Sequence, residues 1–265
     1  MQIEKEITMP STYAHYRFAQ EVIPLLPRDI RTVVQNNLSL YLIGCHGPDI
    51  LFYYKPLTHN AVRKLGDELH VKRAKPFFEG AKAFASQSEA ALSYAIGFIT
   101  HFALDSECHD YVEARRKQLA ITHTKVEVEF DRFLLEDDGK DPVKTKLAEH
   151  IISDDNCART IAPFFDLEPK KIKRALKDMK KVCDMFVVPK KFKRSIVTSL
   201  LKMFGGDSLK DQVMGYFPDP VCEQSNKVLF EKFEGAKPVA KRLIVNFCVN
   251  LNNKGLDARF DKNYE

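Results

Sequence analysis

Apolar residues recur at helical spacing along almost the whole chain, and the alternating β-branched runs that mark strands are nearly absent, so the pattern predicts an all-α protein. The first amphipathic stretch follows Pro10. Ser11 or Thr12 is placed to cap it, and His15, Phe18, Ala19 and Val22 fall at i, i+3, i+4 and i+7 on one inward stripe before Pro24 and Pro27 end it. A second helix is expected over 28–43, stopped by the Gly/Pro-bounded turn at 44–49. Two more follow over 69–85 and 88–117, the latter apolar on all faces from 90 to 104, as suits a helix in the middle of a bundle. An amphipathic helix over 123–135 runs into an acidic turn at Gly139. Beyond Pro142, helices are expected over 143–152, 155–165, 169–186, 190–204 and 237–254, with a Gly/Pro-rich connection over 205–220.

Composition adds exclusions. With 265 residues, 45% of them hydrophobic and 29% charged, the chain has the makeup of an ordered globular protein. Residues 1–10 carry Glu4, Lys5 and Glu6 and no apolar run, which predicts no secretory signal and a cytoplasmic protein. The apolar stretch at 90–104 is shorter than the roughly 20 residues that span a bilayer. Six cysteines without a Cys-x-x-Cys pair read as reduced thiols and exclude a zinc ribbon.

Charge and histidine are unevenly placed. Residues 169–202 hold 12 basic and two acidic side chains, whereas residues 1–168 hold 20 basic and 25 acidic. This division suggests a helical core over 9–150 and a helical extension over 151–265 packed on it as one continuous domain. In the basic segment, Ile172, Leu176, Met179, Val182 and Cys183 form a core stripe, and the interleaved Phe186 and Phe192 are expected in the core as well. The lysines from Lys170 to Lys202 read either as the solvated outer face of that stripe or, with Lys190, Lys191, Lys193 and Arg194, as a field for an anionic surface, a membrane sooner than nucleic acid. All eight histidines lie in the first 150 residues, which makes that half the place to look for chemistry.

The most informative segment holds His101, Asp105 and His109. Residues four apart on a helix drift by only about 40°, so the three side chains share a stripe. Burying two imidazoles and a carboxylate on an otherwise apolar helix without partners is costly, and zinc satisfies nitrogen and oxygen donors together. His123 and Glu127 repeat the spacing on the next helix. Asp49 in the turn, His70 and His15 add donors from adjoining elements, His59 is a weaker substitute for His70, and His46 and His150 lack such context.

The motifs MPSTYAHY at 9–16, GCHGPDI at 44–50, HFALD at 101–105 and the pair His123/Glu127 occur in an order that resembles the zinc-dependent phospholipase C family, whose fold is shared with fungal zinc-dependent single-strand nucleases. The resemblance covers residues 9 to about 135. It implies an all-helical protein with a cleft holding zinc: one ion on Asp49, His70, His101 and Asp105, a second on His109, His123 and Glu127, and a third on Asp105 and His15. In the family an N-terminal tryptophan completes the third site, and this chain has no tryptophan. The spacing from Asp105 to His109 is four where secreted members have six, and Ile50 stands where those members place an aromatic residue after the aspartate.

The implied function is phosphodiester hydrolysis by a metal-activated water, with Asp49 assisting as general base, two or three zinc ions as cofactors, and a phosphodiester, phospholipid included, as substrate. Three other readings fit parts of the sequence. They are a single-strand nuclease using the same site, a His-Asp-type phosphohydrolase built on His109 and Asp110, and a catalytically silent protein stapled by zinc.

Overall fold

The structure, a computed structural model, describes residues 11–253 and 255–264, apart from the side chains at 204 and 205. The reading of residues 1–10, the first two residues of the 9–16 motif and the end of the helix expected at 254 lie outside the described residues. Every regular element among the described residues is helical, as the periodicity predicts. The described residues form eleven α-helices: α1 (Tyr13–Val22), α2 (Arg28–Asn36), α3 (Leu38–Gly44), α4 (Ala61–Val71), α5 (Ala74–Ala85), α6 (Glu89–Leu119), α7 (His123–Asp137), α8 (Asp155–Ile161), α9 (Pro169–Phe186), α10 (Lys191–Asp211) and α11 (Glu223–Val249). A 3-10 turn, Gly47–Tyr53, follows α3. No described helix is long and apolar enough to cross a membrane.

The organising element is α6. Ser88 caps it by accepting from the Ala91 N–H, and its run from Ser93 to Asp105 is buried on all faces. Helices α3, α5 and α11 pack around it, and Phe78, Phe98, Phe102, Phe247 and Phe260 interlock in the core between them. Close approach of α3 depends on two glycines. A Cβ at Gly97 would sit 2.1 Å from the Tyr41 carbonyl oxygen, and one at Gly44 would sit 2.3 Å from that of Tyr94. The main apolar core draws on residues from Tyr13 to Tyr264, so both halves of the chain contribute to it.

Several boundaries differ from the sequence expectation, each for a local reason. The helix expected over 28–43 breaks at Asn37, which leaves the helical region at φ −129° and ψ 39° and turns its side chain onto the Val33 carbonyl. The stretch expected over 69–85 belongs to two helices, because Lys72 and Arg73 are extended; the Ala74 N–H then pairs with the Lys262 carbonyl instead of its own helix. No helix forms over 143–152. The Asp141 carboxylate accepts from Val143 N–H and its carbonyl accepts from Lys144 and Thr145, so turn chemistry captures the backbone. Helix α10 continues to Asp211 through the expected connection. Helix α11 starts 14 residues before the expected 237 and carries Pro238 in its interior. The lost hydrogen bond there costs about 3 kcal/mol, which the burial of Phe233, Ala236, Ala240, Leu243, Ile244 and Phe247 offsets.

Candidate metal centre

Four elements converge on one side of α6. Within it, His101, Asp105 and His109 line up at four-residue intervals as predicted, with His101 fully buried and Asp105 6% exposed. The left-handed residue Ala120 ends the helix, Thr122 caps α7 by accepting from the Lys125 N–H, and this tight hairpin sets His123 against His109 with ring centroids 5.1 Å apart. His123 Nε2 lies 3.1 Å from Glu127 Oε1.

Helix α1 brings His15, although its start is built differently from the expected Ser/Thr cap. The buried carboxylate of Asp131, two turns after His123 on α7, accepts from the N–H groups of Thr12, Tyr13 and Ala14 and from the Ser11 hydroxyl. An anion at the positive end of the helix dipole thus pins α1 to α7. His15 Nε2 then stands 3.2 Å from Asp105 Oδ1, while Asp105 Oδ2 lies 3.0 Å from His101 Nε2.

The 3-10 turn delivers Asp49. Gly47 adopts φ +49°, and a Cβ there would meet the His101 ring at 2.2 Å, so only glycine lets the turn pass this close. Asn60 caps α4 through Val62 and Arg63 N–H, and Gly66 lets the helix lie against Leu51 and Phe52 of the turn. His70 Nε2 reaches Asp49 Oδ1 at 2.8 Å, and His101 Nδ1 is 3.8 Å from Asp49 Oδ2. The alternative donor, His59, is exposed and belongs to no such group.

All eight residues singled out from the sequence therefore fall into three clusters whose donor atoms lie within 4.8 Å of one another: His15/His101/Asp105, Asp49/His70/His101 and His109/His123/Glu127. The first two are buried, and the third is half-buried and forms the open side. Metal chemistry fits this donor set. Both oxygens of Asp49, both ring nitrogens of His101, and Nδ1 of His15 and of His109 are buried without a well-aligned hydrogen bond among the described residues. Donors that crowd together yet fail to align with one another face a common point instead, and an unsatisfied buried polar group costs about 1–3 kcal/mol.

Electrostatics point the same way. Burial pushes an imidazole down, but Asp105 outweighs it at His15, Asp49 at His70, and Glu127 with Glu113 at His123, raising each to about 9. Burial would raise Asp105, yet His101 and His15 hold its carboxyl well below the usual range. In the metal-free protein a proton thus occupies positions that a cation would take. Each raised imidazole contributes stability that is complete below its ordinary value of 6.5 and is lost as pH rises through about 9. The chelated protein is therefore expected to melt at higher temperature at pH 6 than at pH 9.5, and zinc-loaded protein to reverse that order because protons compete with the ion. A chelated melting temperature that stays flat or rises between those pH values would contradict these pairings.

Three supporting groups escaped the sequence reading. Glu113 accepts from His123 Nδ1 at 2.8 Å, and the Gly66 carbonyl accepts from His70 Nδ1 at 2.8 Å, so each partner fixes the tautomer that leaves Nε2 toward the cluster. Extending the 101/105/109 spacing by four would have found Glu113. The third is Tyr264, whose buried ring packs 5.6 Å from His70 and 5.7 Å from His101 and whose N–H donates to the His70 carbonyl. Residues 257–264 form a strap held by Lys75 to Asp261 and by Arg259 to the Ser106 carbonyl. No local signal announces it. A cavity lined by Thr12, Tyr53, Asp131, Cys183 and Arg194 lies beside α7 one turn beyond Glu127 rather than over the donors.

Clustered, buried histidines and carboxylates from four helices and a turn make this all-helical protein one with a candidate metal centre. A model of the zinc dependent phospholipase C family matches residues 14–204, and the chain belongs to that family. No curated protein and no solved structure matches the chain.

Proposed function

We propose that the protein is a zinc-dependent phosphodiester hydrolase of the phospholipase C type. The convergence of eight donor residues into three clusters, two of which share His101, carries this reading. The ions would be held by Asp49, His70, His101 and Asp105, by His109, His123 and Glu127, and by Asp105 with His15. Zinc, when bound, supplies an acidified water at neutral pH and neutralises charge on the phosphate oxygens.

The rest of the chemistry falls to the chain itself. Asp49 Oδ1 is committed toward His70, while Oδ2, 3.8 Å from the nearest His101 nitrogen, is the freer oxygen and takes the proton of the attacking water. Glu113 and the Gly66 carbonyl keep His123 and His70 in one orientation. Phe102 and Tyr264 close the deep end against bulk solvent, so substrate enters from the half-buried side at His109, His123 and Glu127. Hydrolysis of a generic phosphodiester, phosphatidylcholine and single-stranded DNA by zinc-loaded and chelated protein tests the proposal. Zinc-dependent turnover of the first two supports it, turnover of DNA alone moves the site to the nuclease reading, and no turnover with zinc bound leaves a structural staple.

The basic segment supplies the partner surface. In α9 the stripe from Ile172 to Cys183 is buried as expected, but Phe192, expected in the core, is 82% exposed. It begins a second stripe on α10 with Ile196, Leu200 and Met203, all exposed and confined to about 80° of the helix. By the same rotation Lys193 borders one edge, while Lys191 and Lys202, the latter paired with Asp207, lie about 80–100° beyond the other. An exposed apolar stripe with lysines on the same helix matches an anionic phospholipid interface. Arg194 is spoken for, since its guanidinium donates to the Val213 carbonyl and lies over Tyr216. The protein is therefore expected to bind phosphatidylserine vesicles in a salt-sensitive way and to lose binding when Lys190, Lys191 and Lys193 become Glu. Vesicle binding that ignores both salt and this exchange would contradict the assignment.

A further inference from the structure

A second constellation lies behind the first and is used by none of the chemistry above. Cys45 and His46 stand between α3 and the 3-10 turn, both buried, and His150 arrives from the 141–153 segment that turn chemistry keeps out of a helix. His46 Nε2 and His150 Nε2 face each other at 2.7 Å, and Tyr16 stacks on His150 with centroids 4.2 Å apart, clamping the ring from its other side. The Cys45 sulfur and one nitrogen from each ring lie within 4.8 Å of one another.

We propose that Cys45, His46 and His150 form an accessory binding site for a zinc-class divalent ion, distinct from the three donor clusters of the hydrolytic centre. The ligand chemistry selects the ion. One thiolate and two imidazoles suit a borderline-soft metal such as zinc and fit magnesium or calcium poorly, since those ions prefer all-oxygen sites. Both rings are ready to serve. Burial and the facing ring hold His46 well below the ordinary imidazole value, and burial with nearby Lys180 brings His150 to about 3, so each is neutral at physiological pH.

The geometry needs little adjustment. Two imidazoles on a tetrahedral ion at about 2.0–2.1 Å stand roughly 3.3 Å apart, so the rings, now 2.7 Å apart at Nε2, open by about 0.6 Å. The ring that now donates from Nε2 shifts that proton to its own Nδ1, and its Nε2 lone pair bonds the metal. Burial and Asp49 push the Cys45 thiol up, and it now donates to the Leu42 carbonyl; the metal–sulfur bond displaces its proton as it forms. One proton leaves per ion bound, and water completes the fourth position. An ion here would tie the 150 segment to the turn that carries Asp49, fixing the wall behind His101.

Cobalt(II) separates this site from the hydrolytic centre, because the three clusters there contain only nitrogen and oxygen donors. Reconstituting the chelated full-length protein with cobalt should produce a near-ultraviolet thiolate-to-cobalt charge-transfer band beside the visible bands of nitrogen- and oxygen-bound cobalt. Cys45→Ser should abolish that band and lower bound cobalt by one equivalent while the visible bands persist, and His150→Gln serves as a second variant with the same expected loss. Visible bands without the charge-transfer band overturn the accessory site and leave the hydrolytic centre standing. A charge-transfer band that survives Cys45→Ser overturns it as well, and a spectrum with no cobalt bands at all removes both assignments.

Discussion

Asp105→Asn is expected to lower phosphodiester hydrolysis by more than about a hundredfold and to destabilise the fold in the same step. One carboxylate serves two neighbours, 3.2 Å from His15 Nε2 and 3.0 Å from His101 Nε2, in a place 6% exposed to solvent. Removing one partner of a buried charge pair costs about 3–5 kcal/mol because the other charge is left without compensation. Loss of a group that only orients a metal ligand typically costs 10–100-fold in metal affinity or activity, and loss of a donor shared by two of the proposed ion sites should exceed that. Elemental analysis, kcat/KM and a melting curve of the same preparation read all three effects. Unchanged metal stoichiometry in Asp105→Asn would contradict the assignment of Asp105 as a shared donor.

Gly97→Ala should also be severe, although Gly97 carries no chemistry. The added Cβ would lie 2.1 Å from the Tyr41 carbonyl oxygen and 2.9 Å from its carbon. Both belong to the backbone of α3, which has no rotamer to escape into, so α3 and α6 must separate. Overpacking of this kind costs about 1–3 kcal/mol, which lowers the melting temperature by roughly 3–10 °C at this chain length. His101 follows Gly97 by one turn on α6, and the turn bearing Asp49 follows α3, so metal affinity should fall as well. Gly80→Ala is the matched control, since its Cβ meets nothing within 4 Å on the exposed side of α5. That substitution should leave stability unchanged or raise it by up to about 1 kcal/mol. Equal melting temperatures for the two variants would show that the α3–α6 contact tolerates separation.

How far the sequence reached follows from which interactions are local. The 101/105/109 and 123/127 spacings are properties of single helices, so their convergence on one face was legible before any fold was known, and the all-helical class followed from the same periodicity. His15, Asp49 and His70 could be named as donors from adjoining elements, but their grouping on particular ions needed the family resemblance, because nothing local links three elements to a fourth. Glu113 lay one step further along a period already recognised.

The remainder depends on tertiary contacts. Asp131 replaces the expected Ser/Thr cap from 117 residues away, as its bond to Ala14 shows. The strap ending in Tyr264 touches His70 from a segment with no periodicity of its own. His150 was hidden by the expectation of a helix over 143–152, which Asp141 prevents. Periodicity places Phe192, Ile196, Leu200 and Met203 on one stripe but does not say whether the stripe meets the core or solvent, and on α10 it meets solvent.

His15, Asp49, His70, His101, Asp105, His109, His123 and Glu127 are proposed to bind zinc at adjacent sites. Anomalous diffraction from crystals of zinc-loaded protein, recorded above and below the zinc edge, tests this most directly. One peak is expected among Asp49, His70, His101 and Asp105, one among His109, His123 and Glu127, and a third between His15 and Asp105 when zinc is in excess. An anomalous map with no peak within about 2.5 Å of these donors, well beyond a zinc–nitrogen bond, would contradict it.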